Sequence, residues 1–138
     1  RDWSSDVCSS DLEPFVDNVA VALQLIIALG IANVWILRAD RATPYRPEGA
    51  SSLAEEFTRY GLPDWVRRAV GVTKLALAAA LVAGIYFSSV ATPAAVLMAL
   101  LMVAAVIAHI RVRDPWTKAV PASLMLFMST AIVVIHSL

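Results

Sequence analysis

Four side chains of ligand-holding types lie in or beside long apolar runs: Asn33, Trp35, Lys74 and His109. Lys74 is the most informative, because an ammonium at the centre of a bilayer helix costs roughly 2.5–3.5 kcal/mol. It sits only about two helical turns inside the charged end of its run, which leaves two arrangements open. In one, the long stem snorkels to the interface. In the other, the ammonium turns inward with Gly71 and Ala78, its i−3 and i+4 neighbours, and meets an anionic or carbonyl group near the depth of Asn33. That face is not the one carrying Ala76, Ala80 and Gly84, so an inward Lys74 requires both faces to be covered. His109 ends another apolar run beside Arg111. There an imidazolium complements a helix C-terminus, and the alternative is proton handling or a hydrogen bond to a quinone.

These residues need helices to hold them. The 138-residue chain is 59% hydrophobic and 16% charged, with formal net charge +0, against about 45–50% apolar and about 25% charged in a soluble domain. The excess is gathered in blocks long enough to cross a hydrocarbon core about 30 Å thick. The expected fold is all-α, an integral membrane four-helix transmembrane bundle with spans at about 15–37, 69–87, 93–110 and 119–136. In the first span Gln24 and Asn33 should turn towards other helices. In the second, the small residues Ala76, Ala80 and Gly84 lie four apart, so close backbone approach is expected there. Thr92 suits the N-cap and Pro93 the first turn of the third span.

The polar connector between the first two spans contains a Pro/Gly-punctuated loop at 42–49, followed by Ser52-Leu53-Ala54-Glu55, the pattern of a capping box. A short helix should follow, with Leu53, Phe57 and Tyr60 on one face, lying at the membrane surface. Gly61 is placed to take the left-handed C′ position, and Pro63 prevents continuation. Residues 1–12 stand apart: Asp2-Trp3-Ser4-Ser5-Asp6-Val7-Cys8-Ser9-Ser10-Asp11-Leu12 reads like one frame of a sequencing-adapter oligonucleotide. They are expected to be a non-native tail, with a single transmembrane domain at 13–138. Without Cys8 the chain has no thiol, which removes disulfides and thiol chemistry from the candidate functions.

Positive charge sets the orientation. Of eleven Lys and Arg, nine fall in the connector or in the joint between the third and fourth spans, so both are assigned to the cytoplasm and both termini to the outside. Trp35, Trp65 and Trp116 gather at that inner interface. In this topology His136 lies at the opposite face from His109, so the pair cannot share a haem, and no residue set makes a metal site. Asp17 lies near the end of its span, away from the midplane where a transport carboxylate would work. No Gly-rich phosphate loop, nucleophile elbow or paired carboxylate motif is present. The charge balance, with no basic cluster interleaved with aromatics, argues against nucleic acid.

Thr43-Pro44-Tyr45-Arg46, Ala50 to Phe57, Tyr60-Gly61-Leu62-Pro63, Val70-Gly71 with Lys74, and His109 with Arg111, Asp114-Pro115 and Pro121 resemble the small bacterial DoxX-like membrane proteins, over essentially the whole chain after Leu12. The resemblance implies a four-helix transmembrane bundle in the bacterial inner membrane and an association with quinone-linked membrane redox systems. Lacking cysteine and a haem-ligand pair, the chain would need partner subunits or a bound quinone to take part in redox chemistry. The leading expectation is therefore a non-catalytic accessory or assembly subunit, with redox partner subunits or further copies of itself in the bilayer. A quinone-binding oxidoreductase subunit using Asn33, Trp35, Lys74 and His109 is one alternative, and a small transporter is another.

Overall fold

The computed structural model describes residues 3–41, 44–45 and 50–138, with side chains from Leu12 onward. Cys8 and the tail side chains, and most of the loop at 42–49, lie outside the described residues. The described chain is helical: α1 (Trp3–Ala32) running on into a π turn (Asn33–Leu37), α2 (Leu53–Arg59), α3 (Asp64–Ala83), α4 (Ser88–Arg111), a 3₁₀ turn (Trp116–Ala119) and α5 (Val120–Ser137). The four long helices run alternately up and down and close a ring, α1 on α3, α3 on α4, α4 on α5 and α5 on α1. The described part of the connector, α2 and the 3₁₀ turn lie at one end of it, called here the connector end.

Three segments, Leu12–Leu37, Ser88–Arg111 and Trp116–Ser137, are long and apolar enough to cross a membrane. α3 has the length but carries Asp64, Arg67, Arg68 and Lys74. Its first turn is built for water, since Asp64 pairs with Arg67 and Arg68 at 2.8 Å each. The hydrogen bond from Arg67 holds the Asp64 carboxyl below its ordinary range.

The core is layered between the helices, with Ile27, Leu81, Ala95, Met98 and Ile132 fully buried. Polar groups are buried among them. Gln24 is 1% exposed and its amide donates to the Leu81 carbonyl at 3.0 Å, which ties α1 to α3 as its depth in the span led one to expect. Large apolar side chains cover the outside instead: Leu29, Val72, Leu100, Ile107 and Phe127 are each more than half exposed. Such a surface, apolar outside and polar groups within, suits hydrocarbon as the solvent.

Two local expectations are corrected. Ala76 is exposed, and the packed face of α3 is instead Gly71, Lys74, Leu77, Ala78 and Leu81. Of the small-residue stripe Ala80 packs partly buried against the core and Gly84 makes a close approach, where a Cβ would come within 2.8 Å of Ala91 Cβ. Thr92 is not an N-cap, because α4 begins a turn earlier at Ser88 and takes Pro93 inside it. Pro93 removes one backbone donor close to the helix start, a loss that apolar helices tolerate. Trp65 and Trp116 are exposed, and Trp35, at the same end of the bundle, is half-buried against the core.

Candidate functional site

The site is assembled at the connector end, from α1 outward. The Arg38 N–H bonds the Asn33 carbonyl five residues back at 2.9 Å, so α1 finishes in a widened π turn, a form frequent at functional sites. This turn carries Asn33 and Trp35. The Trp35 ring lies against α3 at Gly71, where a Cβ would meet Cε3 and Cζ3 at 2.8 Å; glycine is what lets the ring settle there. Three residues on, Lys74 Nζ stands 5.3 Å from the Trp35 ring centroid, within reach of a cation–π attraction. Lys74 is 8% exposed. Of the two arrangements open to it, the structure shows the inward one, on the face of Gly71 and Ala78.

α2 covers this end. Its N-terminus forms as the sequence suggested, with Ser52 Oγ accepting from the Glu55 N–H at 3.2 Å. Glu55 reaches one residue further back than expected, to the Ser51 N–H at 2.7 Å and the Ser51 hydroxyl at 2.9 Å. The Ser51 backbone bond, then its hydroxyl, hold the Glu55 carboxyl below its usual range. At the other end Leu62 N–H bonds the Phe57 carbonyl and Gly61 N–H the Thr58 carbonyl, both at 3.0 Å, with Gly61 at φ 75°. This is the left-handed C′ glycine of a Schellman turn. Between these stops the apolar face of α2, Leu53, Phe57 and Tyr60, is buried on the protein itself.

The contact is an aromatic chain. Ring centroids are 5.9 Å apart for Trp35 and Phe57, 5.9 Å for Phe57 and Tyr60, and 5.6 Å for Tyr60 and His109, all edge to face, the favoured geometry. A polar chain runs beside it. The Tyr60 hydroxyl donates to Glu56 Oε1 at 2.7 Å and lies 3.3–3.4 Å from both His109 ring nitrogens, while His109 Nδ1 is 2.8 Å from Asp114 Oδ2. Asp114 reaches His109 because α4 also ends in a Schellman turn, Asp114 N–H to the His109 carbonyl and Arg113 N–H to the Ile110 carbonyl, each at 3.0 Å. Arg113 takes the left-handed position at φ 58°, a strained one for a residue with a Cβ. His109 is thus a buried, paired imidazole rather than an exposed cap on its helix.

Beneath α2 these groups enclose a half-open cavity of about 410 Å³, and Asn33, Trp35, Lys74 and His109 all line it. The DoxX-like family profile matches residues 45–133. The chain belongs to the DoxX-like family. The matched stretch includes α2, Lys74, His109 and Asp114 but not the π turn that brings Asn33 and Trp35. No curated protein and no solved structure matches the chain.

Residues that the sequence did not assign to a site complete the wall of this DoxX-like cavity: Glu56 from α2 and Tyr60 at its C-cap, Arg38, Lys118, and the apolar Met102 and Met125. Glu56 and Tyr60 are i and i+4 on α2, a pairing legible in principle once α2 is known to fold inward. Asp17 is exposed on α1, and His136, with Nδ1 2.9 Å from the Ile132 carbonyl, is at the end of the bundle away from the cavity. Among the described residues no group of three or more His, Cys, Asp or Glu is placed to hold a metal ion.

Proposed function

We propose that this DoxX-like protein is a four-span subunit of the bacterial inner membrane, accessory to a quinone-linked redox system and not a catalyst by itself. The observation that carries the reading is the half-open cavity that gathers Asn33, Trp35, Lys74 and His109, a place to bind and position a molecule, around which, among the described residues, no nucleophile is paired with a base in the manner of a hydrolase. α3 is read as the fourth span. With Lys74 turned inward, the side it leaves for lipid is Val72, Ala76, Ala79 and Val82, and twenty residues give about 30 Å of helix. The positive residues put the connector end, and so the cavity mouth, in the cytoplasm with both termini outside. α2 then lies at the level of the membrane surface, its Glu55 and Arg59 in water. The broad apolar outside is available to lipid, to redox partner subunits and to further copies of the chain.

The test is extraction from the native membrane in mild detergent, with co-purifying proteins and quinones identified by mass spectrometry. A redox protein in stoichiometric amount is the expected result. Recovery of the chain with neither partner nor quinone overturns the reading. A second reading, a quinone-binding oxidoreductase subunit, is favoured by Asn33, Trp35 and His109 lining one largely apolar cavity. It predicts a quinone in the extract that is lost in Asn33→Ala and His109→Ala. The transporter reading draws no comparable support, since the core beyond the cavity is packed solid at Ile27, Leu81, Met98 and Ile132.

A further inference from the structure

We propose that the cavity is a binding site for an acidic single-chain amphiphile, a fatty-acid-type carboxylate that takes Lys74 as its counter-ion. Lys74 is 8% exposed and lines the cavity. Its ammonium has three donors, and among the described residues its only partners are the Trp35 ring face and the electrostatic attraction of Glu56. Neither is a hydrogen bond, and Glu56 already accepts from the Tyr60 hydroxyl. A buried charge left this way is costly unless an anion completes it.

The cavity favours an anion over a neutral ligand. Lys74 is the buried cation of its wall, while Glu56 is engaged by the Tyr60 hydroxyl and His109 by Asp114. A carboxylate beside Nζ gains charge-assisted hydrogen bonds that a ketone or ester cannot match. The rest of the ligand must be apolar. Leu101, Met102, Ala105 and Met125 supply apolar lining, the methionines adapting to a flexible chain. About 410 Å³ falls in the range of about 300–1,000 Å³ typical of small-molecule sites, which suits one alkyl chain. This site does not depend on a redox partner, so its failure leaves the accessory reading standing and the reverse is equally true.

The experiment is native mass spectrometry of the full chain in a mild non-ionic detergent at pH 7.5, with dodecanoate, methyl dodecanoate and a decyl-substituted benzoquinone as ligands. Dodecanoate should give a one-to-one adduct at micromolar concentration, and the methyl ester at least tenfold less. Lys74→Gln should lose at least tenfold in dodecanoate binding while Lys74→Arg keeps most of it, and exposed Arg59→Ala should bind as the parent does. Circular dichroism melting checks the fold of each variant. Should Lys74→Gln not fold, the acid-against-ester comparison on the unaltered chain still decides. Equal binding of acid and ester, unchanged binding by a folded Lys74→Gln, or displacement of dodecanoate by an equimolar amount of the neutral quinone overturns the proposal.

Discussion

Gly71 sets how near Trp35 can come to α3, and through Trp35 it sets the surroundings of Lys74. A methyl group there would lie 2.8 Å from two ring carbons, so Gly71→Ala must push the indole aside. The expected cost is about 1–3 kcal/mol of stability, as for other overpacked contacts, read as a lower melting temperature together with a shifted tryptophan emission. Arg113 makes the opposite case, a side chain where glycine would fit. Holding φ at 58° costs roughly 1–2 kcal/mol for a residue with a Cβ. Arg113→Gly should therefore melt within about 1 kcal/mol of the parent, since its greater unfolded-state freedom offsets the relief. Arg113→Val should melt lower and disturb the His109 ring resonances, because the turn returns Asp114 to His109. The inward face of Lys74 was legible in the sequence as one of two arrangements, from helical spacing alone. The His109–Asp114 pair was not, because it depends on a left-handed residue that is neither Gly nor Asn.

At the scale of elements, α2 supplies Leu53, Glu56 and Phe57 to the cavity wall. It is seven residues long, too short to be stable without tertiary contacts, so it depends on its caps and on Phe57. Phe57→Ala should remove about 3–5 kcal/mol of packing and release α2 from the bundle, seen as faster amide exchange across 53–60 with α4 unaffected. The cap adds a pH dependence. The Glu55 carboxyl is held below its usual 4.5 by the Ser51 hydrogen bonds, so the folded state binds its proton less readily than the unfolded state. Its contribution is complete above about pH 4.5 and fades as pH falls through the lowered value. Exchange in α2 should rise in that acid window in the parent and lose this dependence in Glu55→Gln. Both stops of α2 could be read directly, because capping boxes and C′ glycines are local codes. The π turn at Asn33–Leu37 and the true start of α4 could not. A Thr-Pro pair marks a helix start in water, whereas an apolar helix can absorb the proline, and a π turn is fixed by what Trp35 packs against.

For the whole molecule, the apolar runs and their joints were visible from composition and periodicity, and three of the four long helices are long and apolar enough to cross a membrane, while the charges of α3 set it apart. Less visible was which side of each helix faces in, since lipid-facing and core-facing residues are alike apolar and, among the described residues, Gln24, Lys74, Ser129 and His109 are the buried polar ones that break the symmetry. The account rests on α3 crossing the membrane as a fourth span, despite its charge, with the cavity open to the cytoplasm. The measurement that tests this most directly is cysteine labelling with a membrane-impermeant maleimide in a Cys8→Ser background, at Arg59→Cys before α3, Ser88→Cys after it and Arg111→Cys at the end of α4. The account predicts labelling of the Ser88 variant on intact spheroplasts and of the Arg59 and Arg111 variants only after lysis. Labelling of the Arg59 and Ser88 variants from the same side would show that α3 does not cross, and would contradict the four-span bundle on which the cavity's placement depends.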